Sequence, residues 1–317
     1  MSTVLVLRAL GLGDALTGVP ALRGVRRRWP EAELVLAAPP EVGGWLRSLA
    51  VVDRVLPTRG LEPLEWDGPP PDVAVNLHGR GPESHRLLLD LAPAELVAFR
   101  CDEAGVDDGL PWPDEDHEVD RWVRLVREAG GFCSPEDLRL GPVGRRGHHV
   151  VVHPGAASPS RRWPAARWAE VAGAMAGRGR AVVVTGTAPE RELCEQVAAA
   201  PGVENRCGED DLAGLDELVG SADLVLCGDT GTAHLATARA TPSVLLFGPV
   251  APAAWGPRID PTLHRVLWRP EASDGPGDPH GSELDPRLAA ITVDEVLAAA
   301  ASLLDEPALS PPRARVP

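Results

Sequence analysis

The chain of 317 residues carries 46 acidic and 31 basic side chains, a formal charge of −15. It is long enough for two domains of about 150 residues each, and its acidity disfavours a surface built to neutralise a nucleic-acid backbone. All 31 basic residues are arginine, which excludes chemistry that needs a lysine amine, such as Schiff-base or pyridoxal-phosphate catalysis and Walker-type phosphate loops.

Five cysteines, at 101, 133, 194, 207 and 227, lack the close paired spacing of a zinc site or a redox dithiol and fit a reduced, cytoplasmic chain. The N-terminal segment reads as a first strand rather than a signal peptide. No run reaches the roughly 18 apolar residues of a membrane span.

In chain order, the apolar run 4–7 leads into Gly11-Leu-Gly13-Asp14, a helical pattern over 15–28 and a second apolar run over 34–37, a β-loop-α-β unit. Strands are expected over 52–56, 73–76 and 96–99, with helices over 41–49, 84–91 and 118–129. A Pro- and Gly-rich acidic stretch occupies 102–120, and a boundary is expected within 141–147. The alternation then restarts with strands over 150–153, 181–185, 224–227 and 243–247 and helices over 165–176, 189–199, 215–221 and 232–238. After residue 257 the chain reads as loop-rich, flexible over 274–282, and closes with a helix over 293–304. The pattern predicts an α/β protein of two Rossmann-like domains facing across a cleft, residues 1–145 and 146–305, with a disordered tail over 306–317.

Three loops carry the chemistry. In the first, a dinucleotide fingerprint fails because its third glycine falls on Leu16. What remains is a tight turn at Gly11 and Gly13 that brings backbone near a ligand and sets Asp14 at a helix N-terminus, as a cleft group or as a helix cap. In the second, His153-Pro-Gly-Ala-Ala-Ser158 runs into Arg161-Arg162-Trp163-Pro164. Small residues there admit close backbone approach, Pro164 suits the first turn of the next helix, and Arg162 offers a fork for a diphosphate. In the third, Gly228-Asp229-Thr230-Gly231-Thr232-Ala233-His234 opens a helix and forms a second anion site. Asp229 there suits hydroxyls rather than phosphate. His234 reads equally as a ligand and as a core histidine. Glu190, just inside its helix, occupies the position where such domains hold a ribose. Asp114-Glu115-Asp116 resembles a metal-binding triplet but lies in the acidic loop and reads as solvated surface.

These segments, with the start at 4–22, Leu212-Ala-Gly-Leu215 and Phe247-Gly-Pro249, resemble glycosyltransferase family nine, the ADP-heptose:lipopolysaccharide heptosyltransferases. The resemblance implies a GT-B fold with an N-terminal acceptor domain and a C-terminal nucleotide-sugar domain. It implies Asp14 as general base and Arg162, where many members have lysine, on the diphosphate. It also implies Asp229, Thr230, Gly231 and His234 in the donor motif, Ser158 as a phosphate contact and Glu190 as a ribose ligand. The expected reaction is inverting, metal-independent sugar transfer from a nucleotide sugar, ADP-heptose-like, to a saccharide or lipid-linked acceptor, with no cofactor and no nucleic-acid partner. A nucleotide-sugar epimerase or hydrolase, or an inert nucleotide-sugar-binding protein, are the alternatives. Arg23, Arg26, Arg27 and Arg28 on the first helix read as a solvated basic helix end or as a peripheral contact with the anionic inner face of the cytoplasmic membrane.

Overall fold

The computed structural model describes residues 2–141, 143 and 147–304, so the tail expected over 306–317 lies outside the described residues. The chain divides into two compact units, Met1–Leu140 and Gly141–Pro317.

In the first unit, β1 (Thr3–Leu7), α1 (Leu12–Arg28), β2 (Glu33–Ala38), α2 (Pro40–Ser48), β3 (Arg54–Pro57), β4 (Val73–Asn76), α3 (Glu83–Leu89), β5 (Glu95–Val97) and α4 (Glu118–Glu128) follow in sequence. The five strands are all parallel, in the order β3-β2-β1-β4-β5. Parallel neighbours need crossover helices on the faces, which is why the central strands are nearly unbroken Val, Leu and Ala. Leu5, Leu7, Val35, Ala37, Leu56, Ala74 and Leu88 form one core under this sheet.

The second unit runs β6 (His149–His153), α5 (Ala165–Gly177), β7 (Ala181–Val184), α6 (Arg191–Val197), β8 (Val203–Asn205), α7 (Leu212–Ser221), β9 (Leu224–Gly228), α8 (Gly231–Ala238) and β10 (Ser243–Leu246). It continues through α9 (Pro252–Trp255), β11 (His264–Leu267), α10 (Pro286–Ala289) and α11 (Val293–Leu304). Its six parallel strands are ordered β11-β10-β9-β6-β7-β8. Trp163 and Trp168, edge to face at 4.9 Å, anchor the core with Val171, Met175, Leu226 and Leu246.

Both sheets reverse direction once, between β1 and β4 and between β6 and β9. In open α/β sheets the ligand crevice opens at that reversal, outside the carboxyl ends of the two strands. At those ends lie residues 8–11 with the first turn of α1 and residues 77–82 in the first unit, and residues 154–164 and 229–230 with the first turn of α8 in the second.

Several boundaries differ from the sequence expectation for physical reasons. The helix expected over 189–199 is split: Thr187 and Glu190 form a reciprocal capping box around a 3₁₀ turn, Ala188–Glu190, and only then does α6 begin. β8 and β11 are sheet-edge strands whose mixed sequences, Val-Glu-Asn and His-Arg-Val-Leu, lack the apolar run of a central strand. β5 ends at Val97, and Phe99 turns into an aromatic cluster with Trp112 at 5.2 Å and Trp122 at 5.9 Å. Pro164 is the N-cap of α5 rather than its first residue.

The basic end of α1 is tied down within the first unit. Arg23 donates to the carbonyls of Asp137 and Arg139, Arg26 pairs with Asp53, Arg27 forks onto Asp137 at 2.8 and 2.6 Å, and Arg28 donates to the Ala129 carbonyl. Among the described residues no helix is long and apolar enough to cross a membrane.

Candidate functional site

In the first-unit crevice, Gly11 is the N-cap of α1, with no side-chain cap bond, and α1 starts at Leu12, so Gly13 and Asp14 lie inside the first helical turn. Asp14 is therefore an acidic residue of the first turn rather than the N-cap itself. Its backbone is held from beneath by Arg8, a 1 % exposed guanidinium at the end of β1 that the sequence reading passed over. Arg8 donates to the carbonyls of Asp14 and Leu77, to Thr17 Oγ1 at 2.8 Å and to Glu118 Oε1 at 3.1 Å, and lies 4.9 Å over the Trp122 ring. Glu118 in turn accepts from Trp122 Nε1 at 2.7 Å and from Arg121. A buried charge is tolerated only when its partners are this complete. Gly18 makes the room, because a Cβ there would stand 2.7 Å from Arg8 Cδ. Across the crevice, at the ends of β4 and β5, a cavity of about 560 Å³ is lined by Arg80, Pro82, Arg100, Asp102 and Trp112 among others.

In the second-unit crevice, residues 154–164 leave β6 and turn on Ser158, which is 8 % exposed and begins a short 3₁₀ turn, Pro159–Arg161. The two arginines take different roles. Arg162 donates its Nε–H to the Ala156 carbonyl at 2.8 Å, which fixes the stem, and its two terminal nitrogens make no hydrogen bond among the described residues. Arg161 crosses to the other strand end, donating to the Asp229 carbonyl and carboxylate, the latter at 3.1 Å. Asp229 is thus charge-compensated by a neighbour that the sequence pattern did not single out. Trp163 donates to the Ile291 carbonyl at 3.1 Å, so the Arg-Trp-Pro motif joins a core anchor to a surface cation.

On the facing loop Thr230 is the N-cap of α8, whose first residue is Gly231. Thr230 Oγ1 is buried with no hydrogen-bond partner among the described residues, and so are Ser160 Oγ and Arg161 Nε. Unsatisfied buried polar atoms are costly, and three of them lie on these two adjoining loops. The first-turn amides of an eight-residue helix point the same way. His234 is 6 % exposed, its ring edge-to-face with Trp255 at 5.8 Å.

Glu190 sits where α6 approaches this loop. Its Oε2 accepts the Thr187 N–H at 2.8 Å and hydroxyl at 2.7 Å, and its carboxylate fills the space that a side chain at Gly155 would need. His153 bonds Thr185 Oγ1 through Nδ1 at 3.0 Å. Burial holds its pKa below the usual histidine value, against the opposing charge of Glu190. Ser158, Arg162, Asp229, Thr230, Gly231, His234 and Glu190 accordingly gather at one sheet reversal, and Gly11, Gly13 and Asp14 at the other. Among the described residues no group of three or more His, Cys, Asp or Glu side chains is arranged to hold a metal ion, and Asp114, Glu115 and Asp116 do not line the first-unit cavity.

Comparison with known proteins agrees with this layout. The chain is 32 % identical over 151 residues to lipopolysaccharide heptosyltransferase 1 of Pseudomonas aeruginosa, covering 44 % of this chain and 42 % of that protein. It is 30 % identical over 153 residues to lipooligosaccharide heptosyltransferase 2 of Haemophilus influenzae, covering 44 % of each. The matched stretch spans under half the length of these two relatives. Among solved structures, a family 9 glycosyltransferase from Veillonella parvula superposes with TM-score 0.78 at 18 % identity, covering 96 % of this chain and 98 % of that one. ADP-heptose LPS heptosyltransferase II of E. coli superposes with TM-score 0.73 at 21 % identity, covering 95 % and 98 %. These likenesses establish the GT-B fold class. The model of glycosyltransferase family 9 (heptosyltransferase) matches residues 106–268, half of the chain, and the protein belongs to that family.

Proposed function

We propose that the protein is an inverting glycosyltransferase that moves a heptose-like sugar from an ADP-activated donor to a hydroxyl of a saccharide or lipid-linked acceptor. The observation that carries this reading is the coincidence of each loop pair with its own sheet reversal, together with the buried polar atoms of Ser160 and Arg161 that have no partner among the described residues. In this reading Arg162, Ser158 and the amides at Gly231 and Thr232 hold the diphosphate, Glu190 a ribose hydroxyl, and Asp229 and His234 the rest of the donor.

The Asp14 carboxylate takes the proton from the acceptor hydroxyl as that oxygen bonds to the anomeric carbon. The anomeric carbon–oxygen bond to the diphosphate breaks, and its electron pair leaves on the nucleotide. General-base help of this kind contributes roughly 10²–10⁴-fold. Negative charge growing on the departing phosphate is met by Arg162 and the N-termini of α5 and α8, so the reaction needs no added cation. Turnover in excess chelator tests that. Compensation of Asp229 by Arg161 supports the same scheme, since a bare carboxylate there would repel the diphosphate.

Calorimetry with ADP and a transfer assay with ADP-heptose and heptose-free lipopolysaccharide test the proposal. Asp14→Asn abolishes transfer and leaves ADP affinity unchanged, and retained turnover removes Asp14 as base. Nucleotide release with donor alone points instead to a hydrolase or epimerase, and binding without turnover to an inert binding protein. Action in the cytoplasm, at the inner membrane face where the acceptor is lipid-linked, belongs to the same proposal, and sedimentation with anionic vesicles tests it.

A further inference from the structure

His78 stands on the loop after β4, at the reversal between β1 and β4. Its backbone N–H is held by Asn76 Oδ1 at 2.9 Å, and its ring Nδ1 faces the backbone N–H of Ala9 at 3.2 Å. A ring nitrogen that accepts from a backbone amide carries no proton, so the neutral ring bears its hydrogen on Nε2. Burial and the nearby Arg8 charge push the pKa of His78 down to about 4, which keeps the ring neutral at physiological pH. The ring is partly exposed, and Nε2 makes no hydrogen bond among the described residues. The cavity of about 560 Å³ begins two residues further on, at Arg80. Ala9 and Asp14 belong to the same short stretch after β1, and Arg8 ties that stretch to the Leu77 carbonyl next to His78. His78 is thus fixed against the element that carries Asp14, with a single N–H donor left for something that enters the crevice.

We propose that His78 donates its Nε2–H to an oxygen of the acceptor saccharide and so orients the hydroxyl that Asp14 deprotonates. The inference rests on the reading of this crevice as the acceptor side with Asp14 as base. A neutral donor suits that task, because an imidazolium in the crevice would pair with a carboxylate and make it a weaker base. Arg8 serves the same end twice, by holding the Asp14 backbone and by disfavouring a second cation beside it.

The tautomer is measured on the whole chain without any acceptor, by long-range ¹H–¹⁵N correlation of the imidazole at pH 7.5. The expected pattern is a neutral ring with its proton on Nε2; a proton on Nδ1, or an imidazolium, overturns the inference. Turnover is then measured with ADP-heptose and heptose-free lipopolysaccharide. His78→Ala lowers kcat/KM for the acceptor roughly tenfold or more, with the Kd for ADP unchanged. His78→Gln, whose amide both accepts from Ala9 and donates onward, recovers most of the loss. An Ala variant within twofold of the parent overturns the proposal, as does an equal loss of ADP affinity, which would mark a general structural role. If Asp14→Asn retains turnover while His78→Ala loses it, the base assignment fails and the His78 contact stands. If Asp14→Asn is dead and His78→Ala is unimpaired, only the His78 inference fails.

Discussion

Gly155→Ala tests the second crevice at its tightest point. A methyl on residue 155 would stand 2.7 Å from Glu190 Oε2 and closer still to Oε1 and Cδ. The backbone of the loop cannot retreat without disturbing β6, so the carboxylate must swing away from Thr187 and give up the bonds of 2.8 and 2.7 Å that close the capping box. Loss of such a cap plus overpacking costs about 1–3 kcal/mol, a fall in Tm of roughly 2–12 °C for a unit of this size. If Glu190 holds the donor ribose, its displacement also removes a hydrogen bond to a charged group, about 1.5–3 kcal/mol, or roughly tenfold to a hundredfold in ADP affinity. Differential scanning fluorimetry reads the first effect and calorimetric titration with ADP the second. Glu190→Gln serves as the reference, since it removes the charge and keeps the shape. A variant that melts lower but binds ADP as the parent does takes Glu190 out of the donor site. One unchanged in both measurements refutes the packing argument itself.

Arg8→Met strips a buried charge network of its centre and lowers stability by about 3–5 kcal/mol; combined with Glu118→Leu the loss is smaller than the sum of the two, and strict additivity in denaturant melts would refute the coupling. The two neighbouring arginines separate by readout. Arg162→Met weakens ADP binding with little change in Tm, whereas Arg161→Met lowers Tm as well, because Arg161 bonds both the carbonyl and the carboxylate of the 6 % exposed Asp229. Equal behaviour of the two variants would refute the division of roles. His264 is buried, bonds Ser243 Oγ at 2.8 Å and has its pKa pushed down to about 4 by burial. The unfolded chain takes up a proton below about pH 6.5, so the stability from keeping this ring neutral is complete above that pH. It is lost, up to about 3 kcal/mol, as pH falls toward 4. The stability gap between the parent and His264→Gln therefore narrows over that window, and a constant gap would refute the assignment.

The fold class was legible because a parallel sheet buried on both faces writes itself as apolar runs alternating with helical patterns. The expected bounds of residues 73–76 and 293–304 coincide with those of β4 and α11 for that reason. The edge strands β8 and β11 carry no such run and were invisible. Gly11, Gly13, Asp14, Ser158, Arg162 and the 229–234 segment stood out because glycine and small residues cluster where backbone meets ligand. Arg8, His78 and Arg161 did not, since their work depends on partners at Glu118, Ala9 and Asp229, 110, 69 and 68 residues away along the chain. No local pattern encodes such a partner. An arginine ending an otherwise apolar strand, as Arg8 does after Leu7, is the one sign that a buried charge awaited explanation. His234 was equally balanced as ligand or core residue, and it is both buried and set in the motif.

The order of strands also bears on how the chain is made. β1 lies between β2 and β4, so it gains its first neighbour once residues 33–38 have been synthesised and its second once 73–76 have. One edge is covered early, by the strand that follows directly in the chain, and the other stays open until β2 and β3 have also been made. All strands of the first unit are complete by residue 97, and α4, which packs on α1 and supplies Glu118 to Arg8, by residue 128. The first unit can therefore fold before the second sheet is complete. β6 repeats the pattern: it pairs with β7 once residues 181–184 have been synthesised, and its other edge waits for β9 at residues 224–228. Each unit thus keeps one apolar parallel edge of its central strand open for a similar stretch of synthesis, and a chaperone that holds nascent chains has the same kind of edge to protect twice.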